Sequence, residues 1–294
     1  MVGLELRDTL AVAVVVDDRG QLLARAEVET GSDPSAAAVA ALDRVAAAAQ
    51  GGLGVAALSP DSAATHAALE SLARRRAGSF PPLPAVDSGT AAAVAEAWTG
   101  SARDVRDSVY FAVADHTIAG IVRDRVPSTG ANRRAPAIAW LALNPVERED
   151  YRRIGCLEAE VASAGIVRRL VWRIKAGDRS DVEDRVNGDL AAITLEQVLD
   201  AARQGDGVSI SVVRDTAKYL GMAAANLVAI ADPEMLVLGG IMSSAADLFM
   251  ESVRTEITRR LPEPIMQALA IAPATLGADA PAIGAARLAA AARQ

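Results

Sequence analysis

Three apolar stretches separated by short polar segments open the chain and predict three strands. Residues 2–6 and 10–16 are apolar and rich in β-branched side chains, and residues 22–30 alternate between apolar and polar positions. Residues 17–20 read Asp-Asp-Arg-Gly, a composition typical of a turn. We therefore expect the fold to begin with three consecutive strands.

Alternating helical and strand patterns follow. The predicted elements are a helix at 34–50, a buried strand at 53–58, a helix from 61 or 62 to 76, a proline-rich loop at 80–84, a short strand at 85–87 and a helix at 89–98. Asp33 or Ser32 is the expected cap of the first helix, and Gly51-Gly52 is expected to end it.

A second group of strands begins at residue 108. The predicted elements are strands at 109–114, 117–122 and 135–143, mostly helical sequence at 157–231, a short buried strand at 235–238, a helix at 244–260, a strand at 267–272 and a final helix at 282–292. Each half opens with strands and then alternates. This order predicts a duplicated α/β architecture with a cleft between two lobes.

Composition and charge narrow the possible functions. Hydrophobic residues make up 51% of the 294 residues and aromatic residues only 3%, which suits an α/β fold and argues against disorder. A net charge of −7 argues against nucleic-acid binding through this chain. Cys156 is the single cysteine, so no intrachain disulfide can form, and no apolar run approaches the roughly 20 residues that span a bilayer. Glu5 and Asp8 interrupt the first apolar stretch, which leaves no signal segment, and we expect a soluble cytoplasmic protein.

Several motifs, in order along the chain, resemble the ROK family of bacterial sugar kinases and sugar-responsive repressors. They are Gly-Cys-Leu-Glu-Ala at 155–159, Asp-Pro-Glu-Met-Leu-Val-Leu-Gly-Gly at 232–240, Leu-Gly-Ala-Asp-Ala at 276–280, Ile-Gly-Ala-Ala at 283–286, and Ala-Ala-Ala at 91–93 with Glu96. The resemblance implies an α/β, two-lobed actin-like ATPase fold of duplicated ribonuclease H-like units. Its N-terminal lobe would cover residues 1–105 together with the returning helix at 282–294, and its C-terminal lobe residues 106–281. It also implies a homodimer.

Both phosphate-binding loops that the resemblance implies are degraded. The first family loop, Asp-Ile-Gly-Gly-Thr, corresponds to residues 5–9, where Glu5 and Thr9 remain but the glycines are absent. Asp8 would place a carboxylate where phosphate oxygens bind. The second loop corresponds to residues 114–120, in which only the last glycine, Gly120, remains. Glycines in such loops allow the backbone to approach the phosphates, so the resemblance implies a weakened nucleotide site.

The other family site residues are also altered. Ser88 stands where the family has its catalytic base, and the adjacent Asp87 is a possible relocated base. Ala137 and Trp140 replace the sugar-binding Glu and His. Residues 149–156 keep only Cys156 of the family's zinc cluster, so we expect no zinc.

Several residues leave alternatives open. Glu158, the surviving family sugar ligand, can also serve as a carboxylate at a helix N-terminus. Gly239 and Gly240 match the turn that contacts adenosine in the family, or are tight-turn glycines of the fold. Trp140 either fills the emptied sugar pocket, which we favour, or stacks on another ring-shaped ligand. His116 lies in the second degraded loop, where a surface turn is expected.

Three classes of function follow. The favoured one is a non-catalytic regulatory or ligand-sensing protein that binds a sugar-like molecule or a less polar ligand. The second is an ATP-dependent hexose or N-acetylhexosamine kinase, with ATP and Mg²⁺ as cofactors only in that case. The third is the effector half of a sugar-responsive repressor, whose winged helix-turn-helix would have to lie in a longer protein or a partner.

Overall fold

A computed structural model describes residues 1–49, 51–75 and 84–292. The predicted end of the second helix at residue 76 and most of the proline-rich loop at 80–84 lie outside these residues. The first sheet contains β1 (Val2–Leu6), β2 (Leu10–Val16), β3 (Leu22–Glu29), β4 (Leu53–Ala57) and β5 (Val86–Asp87). Its strand order is β3-β2-β1-β4-β5, with the first three strands antiparallel and β4 and β5 added in parallel. The three-strand opening is therefore confirmed.

The helices of the first half begin within two residues of the predicted positions, but the first ends at residue 45 and not near residue 50, before the expected Gly51-Gly52 stop. They are α1 (Pro34–Val45), α2 (Ala63–Arg75) and α3 (Ser88–Trp98). Asp33, rather than Ser32, caps α1, because its carboxylate accepts a hydrogen bond of 3.0 Å from the Ala36 backbone N–H. The α1 residues Ala38, Ala41 and Val45 are buried in the core that also contains β1, β2 and β4.

The second sheet repeats the topology of the first. It contains β6 (Ser108–Val113), β7 (Thr117–Arg123), β8 (Val126–Pro127), β9 (Met235–Gly240) and β10 (Ala270–Pro273). Its order, β10-β9-β6-β7-β8, is that of the first sheet read from the opposite edge, with β9 parallel to both β6 and β10. The predicted duplication is therefore confirmed.

Two predicted strands are wrong in extent or kind. Residues 135–143 do not form a strand; they contain a short 3-10 helix, Ile138–Trp140, and the short β8 is the third strand of the second sheet. Pro136 has no N–H for a ladder, and local bonds such as Trp140 N–H to the Ala137 carbonyl (3.1 Å) replace sheet pairing. The strand predicted at 267–272 is instead the end of a helix followed by β10, the edge strand.

The remaining helices fill the second half and the C-terminus. They are α4 (Glu149–Ile154), α5 (Cys156–Val161), α6 (Ser163–Lys175), α7 (Asp181–Arg185), α8 (Leu195–Arg203), α9 (Gly207–Ala231), α10 (Ile241–Ser244), α11 (Ala246–Thr258), α12 (Glu263–Ala268) and α13 (Ala280–Ala291). The predicted helix at 244–260 thus begins two residues late, after the separate short α10. In the described part of the chain, no helix is both long and apolar enough to cross a membrane.

The last helix packs closely against the first sheet. α13 contacts β1, β4 and α3. A Cβ at Gly54 would lie 1.8 Å from the Ala285 carbonyl oxygen, and one at Gly284 would lie 1.7 Å from that of Ala91, so both positions require glycine. The strands of the first sheet lie within residues 2–87 and those of the second within 108–273. The lobe boundaries at residues 105 and 281 stay a prediction.

Candidate functional site

In the hairpin between β1 and β2, an arginine side chain pairs with an acid of the same hairpin. The Arg7 guanidinium lies 2.6 Å from the Glu5 carboxylate and also donates a hydrogen bond to the Ala278 carbonyl. The Glu5 side chain is only 3% exposed, and burial raises the pKa of its carboxyl while Arg7 opposes that rise. Arg7 has a negative φ, so this turn does not use the left-handed conformation that favours glycine. Thr9 is exposed beside it, and its carbonyl accepts from the Thr30 N–H at 2.9 Å.

The hairpin between β6 and β7 contacts the first hairpin through His116. Its Nε2 lies 2.8 Å from Oδ2 of Asp8, and its Nδ1 lies 3.1 Å from Oε1 of Glu158. Glu158, near the start of α5, also accepts hydrogen bonds from the backbone N–H and hydroxyl of Thr117, at 2.9 and 3.1 Å. His116 therefore bridges Asp8 of the first hairpin and Glu158 of α5. It is not the simple surface-turn residue that the sequence suggested.

The electrostatics of this bridge favour a charged imidazole. The hydrogen bond to Glu158, with the negative charges of Glu158 and Asp8, raises the pKa of His116 to about 9 despite partial burial. Burial alone would raise the pKa of Glu158, but the hydrogen bonds from His116 and Thr117 lower it overall. At neutral pH, the arrangement is an imidazolium between two carboxylates.

Asp87 and Ser88 lie where β5 meets α3. The Asp87 carboxylate caps α3 by accepting hydrogen bonds from the N–H groups of Gly89 and Thr90, at 2.9 and 3.1 Å. Burial raises the pKa of Asp87 to about 6, although both backbone bonds oppose the rise. Ser88 is fully buried, and its hydroxyl has no partner that meets hydrogen-bond geometry among the described residues. The possible relocated base is thus already engaged at a helix terminus.

The residues in place of the family sugar ligands are exposed. Ala137 and Trp140 lie in the irregular segment after β8, and Trp140 is 56% exposed. The preferred prediction that Trp140 fills an emptied pocket is wrong, because the indole is not enclosed. Stacking of Trp140 on a ring-shaped ligand stays open.

The glycines that match the nucleotide-binding turns have packing roles. A Cβ at Gly120 would lie 2.3 Å from the Gly89 carbonyl oxygen, so this glycine lets α3 approach β7. Gly240 has φ of +61°, and a Cβ there would lie 1.9 Å from the Val113 carbonyl oxygen. A Cβ at Gly239 would lie 2.8 Å from the Tyr110 hydroxyl. The packing of the fold is therefore sufficient to explain all three glycines.

A charged network centred on Glu160 lies next to the segment that matches the family's zinc cluster. The Glu160 side chain, 6% exposed, contacts the Arg169 guanidinium at 2.5 Å and that of Arg148 at 3.3 Å. It also accepts a short hydrogen bond from the hydroxyl of Tyr151. No group of three or more His, Cys, Asp or Glu residues in the described part of the chain could hold a metal ion. Cys156 is buried, and the donors around it do not fit a zinc site.

A cavity of about 310 Å³ lies beside the first hairpin. Its lining residues are Leu6, Arg7, Asp8, Pro34, Leu58, Ser59, Ser62, Ala64 and Thr65. The Thr65 hydroxyl donates to the Ser59 carbonyl, and the Ser62 hydroxyl donates to Thr65, at 2.9 and 3.0 Å. The lining thus combines apolar groups with hydroxyls that already have partners.

Three features of the site are not evident from motif comparison. They are the Arg7–Glu5 pair, the His116 bridge and the Glu160 network. One signal was available for the bridge: each degraded loop gained a titratable side chain of a type complementary to the other, Asp8 in the first and His116 in the second. The Glu160 network has no comparable signal, because its partners come from separate helices.

The two sheets of equal topology, with a hairpin of each lobe facing the other, define a two-lobed actin-like ATPase fold. The sequence profile of the ROK family matches residues 86–292, and the chain belongs to this family. The predicted membership and fold are both confirmed.

Similar proteins include repressors and kinases. The xylose repressor of Caldicellulosiruptor bescii is 31% identical over 178 residues, 58% of this chain and 42% of the repressor. The glucokinase of Halalkalibacterium halodurans is 27% identical over 195 residues, 66% of this chain and 59% of the kinase. The structure of a ROK family glucokinase from Streptomyces griseus in complex with glucose and AMPPNP has a TM-score of 0.81 at 22% identity and covers 99% of both chains. The chain spans less than two thirds of the length of these two curated relatives, and it is related to both sugar kinases and sugar-responsive repressors.

Proposed function

We propose that this chain is a non-catalytic, ligand-sensing member of the ROK family. The observation that carries the proposal is the ion pair between Arg7 and Glu5 in the first hairpin. In a family kinase the acid at the Glu5 position belongs to the loop that receives nucleotide phosphates. Here an internal guanidinium neutralises that acid, so the carboxylate is not available to a bound metal ion.

The surroundings of this pair also oppose a polyphosphate. Asp8 brings a negative charge to the same hairpin, and its contact with His116 joins the hairpin to the second one. The residues present therefore do not fit Mg²⁺-ATP. Asp87 caps α3 through its Oδ1, which directs one carboxylate oxygen to the helix terminus instead of to a substrate hydroxyl.

We also propose that the protein needs no zinc. The Glu160 network joins α4, α5 and α6 with ion pairs and hydrogen bonds where family members use thiolates and a histidine. A cytoplasmic homodimer is our further expectation, on family resemblance alone.

The ligand that we expect is less polar than a hexose. Alanine and tryptophan at 137 and 140 remove the acceptor and donor that would hold sugar hydroxyls, and the exposed Trp140 ring can stack. A thermal-shift screen tests this point. Stabilisation by unmodified hexoses alone would contradict it.

Two alternatives remain testable. Similarity to the glucokinases favours an ATP-dependent kinase of hexoses or N-acetylhexosamines, and similarity to the xylose repressor favours the effector half of a sugar-responsive repressor. The repressor alternative shares ligand sensing with our proposal, whereas the kinase alternative requires turnover.

Calorimetric titration with Mg²⁺-ATP, paired with a coupled assay for ADP release across hexoses and amino sugars, separates these possibilities. We expect neither binding heat nor sugar-dependent ADP. ATP binding with sugar-dependent ADP release would refute the proposal. The Asp87→Asn variant would then show whether Asp87 acts as the base, because loss of turnover with unchanged ATP binding is the result expected for that role.

A further inference from the structure

The two hairpins meet across the cleft through one three-residue arrangement. Asp8 belongs to the turn after β1, His116 to the turn before β7, and Glu158 to α5. The side chain of Asp8 is 69% exposed, that of His116 35% and that of Glu158 13%. The contact therefore runs from the solvent-facing edge of the first hairpin to a half-buried anchor in the second lobe.

We propose that Asp8, His116 and Glu158 form a latch that holds the two hairpins together and closes the cleft between the lobes. The proposal does not depend on whether the protein binds ATP. If the latch fails its test, the Arg7–Glu5 pair still supports the proposed function.

His116 can donate hydrogen bonds to both Asp8 and Glu158 only when its imidazole is protonated. An ionised carboxylate only accepts hydrogen bonds, whereas a neutral imidazole has one donor and one acceptor nitrogen. A neutral His116 could donate to Asp8 or to Glu158, but its second nitrogen would then face a carboxylate oxygen lone pair. The imidazolium donates to both.

The surrounding charges hold the imidazole in that form. The charged groups that face His116 are Asp8 from the first hairpin and Glu158 from α5, and Asp115 precedes it in its own turn. Arg7 lies beside Asp8 in the turn after β1, but its guanidinium contacts Glu5 and Ala278. The partner of the Asp8 carboxylate is therefore the imidazolium of His116.

The hydrogen bonds that Glu158 accepts from His116 and Thr117 also affect how a ligand could bind this carboxylate. Oε1 of Glu158 contacts His116, and Oε2 accepts two hydrogen bonds from Thr117. A ligand that takes the place of His116 on Oε1 breaks the bridge, so binding of such a ligand and closure by Asp8 oppose each other. Opening of the latch is then the conformational signal that ligand binding would produce.

Distances between the lobes test the latch directly. Two spin labels, on Glu70→Cys in α2 and Asp184→Cys in α7, report the separation by pulsed electron resonance, because both positions are exposed and the native Cys156 is buried. We expect His116→Gln and Asp8→Asn each to lengthen and broaden the distance distribution at pH 7.5. The double variant should show no larger change than either single variant, because each removes the same contact.

The second histidine provides the matched control. His66 is an exposed residue of α2, so His66→Gln should leave the distribution as in the parent protein. A distribution that is identical in the parent and in His116→Gln, with circular dichroism showing both folded, would overturn the proposal. So would additive changes from Asp8→Asn and His116→Gln, since independent effects would show that the two residues are not coupled.

Discussion

The carboxylate of Glu96 accepts hydrogen bonds from both the backbone N–H and the hydroxyl of Thr275, at 2.9 and 3.2 Å, although 179 residues separate the two. It also accepts from the N–H groups of Leu276 and Ser101, at 3.0 and 2.8 Å. Glu96 is fully buried in α3, and Thr275 follows β10. One side chain thus fixes the two places where the chain passes between the sheets.

Replacement of Glu96 by alanine should be strongly destabilising. Three backbone N–H groups, those of Ser101, Thr275 and Leu276, would lose their buried acceptor together, and we expect a loss of about 3 kcal/mol in the free energy of unfolding. Urea denaturation measures this loss, with Glu70→Gln on the exposed surface of α2 as the control. A loss no larger than that of the control would show that water replaces the carboxylate.

Substitution of Glu160 should destabilise the protein, because its carboxylate is the shared partner of the network. Glu160→Gln would leave Arg169, whose side chain is 16% exposed, without its charge partner. We expect a loss of about 2–3 kcal/mol, because breaking a buried pair leaves one charge uncompensated. Thermal or urea denaturation measures it, and Glu149→Gln on the exposed side of α4 is the control. Stability that rises on zinc addition and falls with a chelator would contradict the view that the network replaces a metal.

Regular patterns made most of the fold predictable. Apolar patterns and capping residues predicted β1 to β4 and α1, whereas residues 157–231 were predicted only as mostly helical sequence without individual helices. The strand predicted from apolar residues at 135–143 was wrong. Its apolar residues, such as Ile138 and Leu143, pack on the helical core while the backbone turns on itself, so they resemble a strand without belonging to a sheet.

Motif comparison located the positions where this chain departs from the family motifs, because residue identities can be read position by position, but it could not show which contacts the substituted residues make. It could not show that Arg7 folds back on Glu5, which depends on the local turn, or that Asp8 meets His116 108 residues away, which depends on how the two lobes are placed. Trp140 shows the same limit: its identity suggested a filled pocket, and its exposure depends on a turn that the sequence did not reveal.

Asp87 should behave as a helix cap whose charge is unfavourable. Because burial raises its pKa from 3.8 to about 6, folding favours the protonated carboxyl, and its contribution to stability falls as the pH rises from about 4 through 6. Asparagine keeps a capping oxygen without the charge, so Asp87→Asn should equal or exceed the parent in stability at pH 7.5. Asp87→Ala loses the cap and should cost about 1 kcal/mol. A less stable Asn variant in urea denaturation would contradict this account.

His116 should titrate far above an ordinary histidine. Its folded pKa of about 9 exceeds the ordinary histidine value of 6.5, so the bridge contributes its full stability below about pH 6.5 and loses it as the pH rises through 9. NMR of the His66→Gln variant, which retains His116 as the single histidine, should show the imidazole protons titrating near pH 9. Asp8→Asn in that background should lower the midpoint. A midpoint near 6.5 in the presence of Asp8 would show that the bridge does not form in solution.

The Arg7–Glu5 pair should be a stability element of the first lobe. Removal of the guanidinium by Arg7→Ala leaves an almost fully buried carboxylate without its partner, and we expect a loss of about 2–3 kcal/mol in urea denaturation. Glu5→Gln combined with Arg7→Ala should recover part of that loss, because the double variant buries no uncompensated charge. Arg19→Ala, in the exposed turn before β3, is the control. A double variant that is no more stable than Arg7→Ala alone would show that the guanidinium does not stabilise the buried Glu5 carboxylate.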